Sequence, residues 1–155
     1  LEASTGGPQR GLSRGLLAVR EGPWVTVHDP GAATVPDPAV LPAPGEVHFG
    51  RWRLAAEETA AAPQPMSRRV LALATGAGPL EVRAAAAGET IDMGEGSKQV
   101  AEAMREAGVP ARLRPAWPVV TAAGRMVWVV GCRVAAGAAA RPGDPAVVVR
   151  ASEVG

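Results

Sequence analysis

A chain of 155 residues, 47% hydrophobic and 20% charged, has the size of a single globular domain. Its 19 glycines and 15 prolines exclude a long-helix bundle and require short elements joined by many turns. A formal net charge of +1 gives no bulk attraction to nucleic acid, so any such partner must meet a local patch.

No run approaches the roughly 18 uncharged apolar residues of a membrane span. The single cysteine, Cys132, leaves no disulfide framework and no thiolate zinc site, and its apolar setting (WVVGCRV) reads as a buried structural thiol. The lack of disulfides fits a reducing compartment. The chain begins at Leu1 without a charged-then-apolar leader, which points to a piece of a longer protein. Arginine supplies every basic residue but one, Lys98.

Residues 1–15 form a polar, glycine-rich lead-in. Leu16–Val19 and Trp24–His28 read as short strands across the Glu21-Gly22-Pro23 turn, and the proline-rich stretch 29–45 reads as an extended connection. Glu46–Phe49 and Trp52–Ala55 have the two-residue spacing of a hairpin over Gly50-Arg51, and 56–66 reads as a loop. Arg69–Ala74 and Leu80–Ala84 make another strand pair.

The helical pattern comes once. Ser97 suits an N-cap, Ser97–Ala107 places Val100, Ala103, Met104 and Ala107 on one face, and Gly108 and Pro110 stop it. Trp117–Thr121 and Met126–Val130 then read as strands around the Ala122–Arg125 turn, with Gly131 breaking the second. A loop at 135–145 and a last strand at Ala146–Ala151 complete the chain.

The expected fold is mainly β (α+β): a small β-sandwich of eight or nine short strands with one packed helix at 97–107. Residues 1–66 read as a β-rich lead-in that is part of the same region, and 67–155 as the C-terminal domain that carries the helix. Trp52, Trp117, Trp128, Met104 and the valines at 127–130 and 147–149 are the core candidates.

Catalytic constellations are sparse. His28 and His48 lie in predicted strands without metal-ligand spacing, and read as structural. Ser4–Gly7 (STGG) lacks the strand–loop–helix context of a phosphate-cradling loop, and Glu57-Glu58 reads as solvated surface. No nucleophile, acid–base pair or metal cluster emerges, so the fragment reads as non-catalytic.

Gly94–Ala107 carries more. A glycine turn entering a helix start with Ser97 and Lys98 is either an ordinary capped helix or a seat for phosphate. Arg105, Arg112 and Arg114 lie on or after the helix, and Arg83 and Arg133 lie on predicted strands. Together these cations could form a patch that reads an RNA backbone.

The order of these pieces resembles a known family. The succession comprises Leu80–Arg83, Gly88–Ile91, Gly94–Lys98 with its helix, and Gly108-Val109-Pro110. It continues with Trp117–Val120 and Gly124–Arg133. Over about residues 80–134 it is similar to the C-terminal region of bacterial tRNA(Ile)-lysidine synthase. There the stretch reads approximately "L-x-V-R-x-R-x-P-G-D-R-I", "G-x-K-K" opening a helix, "V-P", "P-V-V" and "G-x-I-V-W-V-x-G-L-R".

The resemblance implies a cytoplasmic parent enzyme that joins lysine to the wobble cytidine of an isoleucine tRNA. That chemistry uses ATP with magnesium and belongs to an N-terminal catalytic domain with an S-G-G-x-D-S loop. For this fragment it implies tRNA holding at the acceptor end and body, with no cofactor or metal of its own. The matching positions are Arg83, Ser97, Lys98, Arg114 and Arg133, with Arg105 and Arg112 as neighbouring cations.

The chain departs from the family pattern at Gln99, which stands at a usual lysine, and at Ala85–Thr90, which has lost two arginines and a proline. Ala111 and Ala116 also stand where basic residues are usual. These losses favour the alternative, a structural or protein-interaction domain of a larger enzyme that does not touch RNA.

Overall fold

A computed structural model describes residues 35–64, 67–76 and 78–154. The predicted strands Leu16–Val19 and Trp24–His28, and the Ser4–Gly7 motif, lie outside them. Among the described residues are eleven strands, one α-helix and one 3-10 helix.

In chain order, β1 is Ala39–Leu41, β2 Gly45–Phe49, β3 Trp52–Thr59, β4 Val70–Ala74 and β5 Leu80–Ala84. A small hairpin, β6 Thr90–Asp92 and β7 Ser97–Gln99, leads into α1, Val100–Glu106. The 3-10 helix Ala111–Ala116 precedes β8 Pro118–Ala122, β9 Arg125–Val129, β10 Arg133–Val134 and β11 Ala146–Glu153.

The strands form a five-stranded sheet, β1-β5-β8-β9-β10, and a four-stranded sheet, β2-β3-β11-β4, with β6-β7 apart. Every named pairing is antiparallel. The mainly β fold with one packed helix is therefore the fold that is found.

Alternation explains the four-stranded sheet. In β3, Trp52, Leu54 and Ala56 point inward while Arg53 and Glu57 face solvent. Their partners Ala151 and Val149 on β11 are buried beside them. The five-stranded sheet reads differently, because every residue of β8 is buried. A strand covered on both faces loses its alternation. Here α1 and β6 lie against β9, and Ile91, Val100 and Met104 join one core with residues of both sheets.

Trp52 and Trp117 meet edge to face, with ring centroids 4.8 Å apart, and Trp117 Nε1 donates to the Val130 carbonyl at 2.8 Å. That bond satisfies a polar atom the burial of Trp117 would otherwise strand. The other core candidates hold, except that Val147 is only half-buried.

Arg69–Ala74 and Leu80–Ala84 do not pair with each other: the chain crosses between sheets after Ala74 and before Leu80. β4 lies beside β11 in one sheet and β5 between β1 and β8 in the other, and the connection 29–45 holds β1. Two further expectations change. The helix does not begin at Ser97: Ser97–Gln99 pairs with Thr90–Asp92, and the helix spans Val100–Glu106. The glycines that suggested a helix entry make the hairpin turn instead. Gly94 and Gly96 have positive φ, and Met93 N donates to Gly96 O at 2.8 Å. Val100 N then donates to Glu89 O, so the ladder supplies what a capping hydroxyl would have supplied.

The second change is in 56–66, read as a loop, where β3 continues to Thr59. Its alanine-rich end pairs with β11 as far as Thr59 opposite Ala146, and tertiary pairing outweighs weak strand propensity. Gly131 ends β9 as expected, with φ +73 and Cys132 N bonded back to Val129 O.

Candidate nucleic-acid interface

Two cations far apart in sequence meet at the end of α1. Lys98, on β7, directs its Nζ to both carboxylate oxygens of Glu106, at 2.8 and 2.9 Å. Arg133, opening β10, reaches Glu106 Oε1 with Nη2 at 3.3 Å. The Lys98 contact, and then the Arg133 contact, hold the Glu106 carboxyl below the usual carboxylate range. The triad is Lys⁺–Glu⁻–Arg⁺, with one positive charge to spare.

It borders a groove of about 380 Å³ whose lining includes Arg68, Glu106, Arg133, Trp128 and Cys132. A second hollow of about 310 Å³ shares Arg68, Ala107, Gly131 and Cys132 with the first and continues along Val109 and Leu113. Burial pushes the Cys132 thiol up, against the opposing pull of Arg68 and Arg69. The thiol is half-buried and held in its neutral form. Arg69 is spoken for: its guanidinium lies 4.7 Å over Trp52 and 3.6 Å from Glu153.

Arg83 is placed differently. Its two Nη atoms grip both oxygens of Glu89, at 2.8 and 2.5 Å, and Nη1 also bonds Ala84 O. Glu89 accepts in addition from Ala86 N at 2.9 Å. Both side chains are only 22% exposed. The Arg83 bond dominates in holding Glu89 below its ordinary range, with the Ala86 amide helping.

The remaining candidates scatter. Arg114 turns its Nε onto the Val109 carbonyl at 3.0 Å and ties down the 3-10 helix. Arg105 is exposed, 3.7 Å from Glu102, and Arg112 is exposed. Ser97 sits on the hairpin opposite Asp92, without the capping role. Of the seven sequence candidates, only Lys98 and Arg133 are brought to one anion. Sequence reading missed Glu106 and Arg68: a helical glutamate and an arginine beside another carry no pattern until the fold sets them on one groove.

His48 lies on β2 with its side chain exposed, 3.9 Å from Glu46. Among the described residues no group of three or more His, Cys, Asp or Glu could hold a metal ion, and no helix is long and apolar enough to cross a membrane.

Comparison with known proteins agrees with the resemblance. Residues 80–151 match the family model described as the TilS substrate C-terminal domain. Among solved structures, one described as the TilS C-terminal domain superposes with a TM-score of 0.67 at 23% identity, covering 77% of this chain and 99% of that one. At that identity the likeness speaks for the fold. No curated protein matches the chain in sequence.

Proposed function

We propose that this chain, whose residues 80–151 match the model of the TilS substrate C-terminal domain, is the tRNA-holding part of a cytoplasmic tRNA(Ile)-lysidine synthase. In this reading it grips the acceptor end and body of an isoleucine tRNA while a separate catalytic domain, with ATP and magnesium, ligates lysine to the wobble cytidine. The fragment contributes position, not chemistry. The family match is the observation that carries the reading.

Lys98 and Arg133 are the contacts the geometry favours. Their cations stand together beside a groove that Arg68 also lines, and clustered cations gain most from meeting a phosphate. Arg105, Arg112 and the Ser97 hydroxyl can add outer contacts. Arg83 and Arg114 serve the interface by holding backbone in place, since their donors are directed inward.

The second reading, a scaffold or protein-interaction domain without RNA contact, is favoured by one observation. Arg83, Lys98, Arg105, Arg125 and Arg133 each face a carboxylate. Titration of the full chain with isoleucine tRNA at increasing salt separates the two. Affinity that falls linearly on a log–log plot supports tRNA holding, and no binding at low salt leaves the scaffold.

A further inference from the structure

Glu106 is the carboxylate on which, among the described residues, a lysine and an arginine from different elements converge. Its carboxylate is held only through Lys98 and Arg133 among the described residues, and no backbone amide anchors it. It is 37% exposed at the rim of the groove. Glu89 differs on each point: it is more buried, gripped at both oxygens by one guanidinium, and bonded to the Ala86 amide.

A carboxylate between an ammonium and a guanidinium makes the charge-assisted contacts that a phosphate oxygen would make. Arg133 commits one Nη to it, and among the described residues its other N–H donors have no protein acceptor. Glu106 and Arg133 are 37% and 42% exposed, and an ion pair this open contributes little that a competing phosphate would have to overcome.

We propose that Glu106 is a resident anion that screens the Lys98–Arg133 pair and is displaced by a backbone phosphate of the RNA, so that it sets how tightly that phosphate is held. This rests on the tRNA-holding reading. Because Glu106 stays ionised through the neutral range, the screen is in place at pH 7. The triad then presents one net positive charge where the bare pair would present two.

The test is titration of the full chain with isoleucine tRNA across a salt series, for the wild type, Glu106→Gln and Glu57→Gln. Glu57 is exposed on β3 and paired with Arg150, so its variant makes the same change in net charge away from the groove. Removing one unit charge some 6 Å from a phosphate is expected to tighten binding about three- to tenfold at low salt. The salt slope should steepen by about one charge in Glu106→Gln alone.

The double variant Lys98→Ala/Glu106→Gln is expected to lose most of the gain, and thermal melting of each variant confirms the folded state. If the wild type binds with a steep slope but Glu106→Gln binds no tighter than Glu57→Gln, the screening role fails and tRNA holding stands. Weaker binding by a folded Glu106→Gln also overturns it, by making Glu106 a positioning residue. No binding by any variant at low salt overturns both readings.

Discussion

Arg83 and Arg133 stand at opposite ends of one row across the five-stranded sheet, Arg83–Val119–Val129–Arg133, roughly 14 Å apart. Each faces a glutamate, but the two ends differ in how completely the ions are committed. At the Arg83 end the guanidinium and carboxylate are matched two to two, mostly covered, and tied to the backbone through Ala84 and Ala86. At the Arg133 end one carboxylate is shared by two cations and has no backbone tie; Glu106 and Arg133 are more open, while Lys98 is as covered as Arg83. An ion pair matched two to two and tied to backbone is committed to the fold, and one that shares a single carboxylate at a groove remains available to a ligand.

The largest expected effect removes what both ends stand on. Trp117→Ala empties the space against Trp52 and leaves the Val130 carbonyl without its donor. Urea denaturation should show a loss of about 3–5 kcal/mol.

Next comes the Arg83 end. Arg83→Ala strips a partly covered carboxylate of its partner and should cost about 1–3 kcal/mol by the same measurement. Its pH dependence sharpens the contrast. Glu89 titrates below its ordinary range when folded, so its contribution is complete above the unfolded carboxylate pKa of about 4.3. It is lost as pH falls through the lower folded value. In Arg83→Ala that acid-side loss should flatten, and an unchanged acid limb would mean the pair contributes nothing.

At the other end the balance reverses. Lys98→Ala should shift stability by no more than about 1 kcal/mol, because Glu106 is 37% exposed and keeps Arg133 as its partner. It should nevertheless weaken tRNA binding, seen as a flatter salt dependence in fluorescence titration. The smallest effect belongs to Arg112→Ala. An exposed residue on the 3-10 helix should leave stability unchanged within about 0.5 kcal/mol and lower affinity less than Lys98→Ala.

Much of the fold was legible because period-two patterning and turn spacing are local. Trp52–Ala55, Leu80–Ala84 and Ala146–Ala151 fall within or on observed strands, and the Gly50-Arg51 hairpin is where the two-residue spacing put it. Ser97–Gln99 was misread because a serine after glycines is compatible with both a cap and a hairpin strand. The choice is made by Thr90–Asp92, which offers a paired ladder, and by Glu89, whose carbonyl takes the first helical amide.

The 3-10 helix at Ala111–Ala116 went unread for a similar reason. Its proline-bounded sequence has no period, and its geometry is fixed partly by Arg114 on the Val109 carbonyl. Lys98 and Arg133 were identifiable as cations in a family pattern. Their convergence on Glu106 was not, since it depends on where α1 ends relative to β10.

The most direct test of tRNA holding through the Lys98–Arg133 end is a pair of salt series on the full chain with isoleucine tRNA, comparing Lys98→Ala with Arg83→Ala under conditions where both are folded. The account predicts that Lys98→Ala lowers the slope by about one charge while Arg83→Ala keeps the wild-type slope despite its lower stability. A slope that flattens in Arg83→Ala and stays at the wild-type value in Lys98→Ala would contradict it.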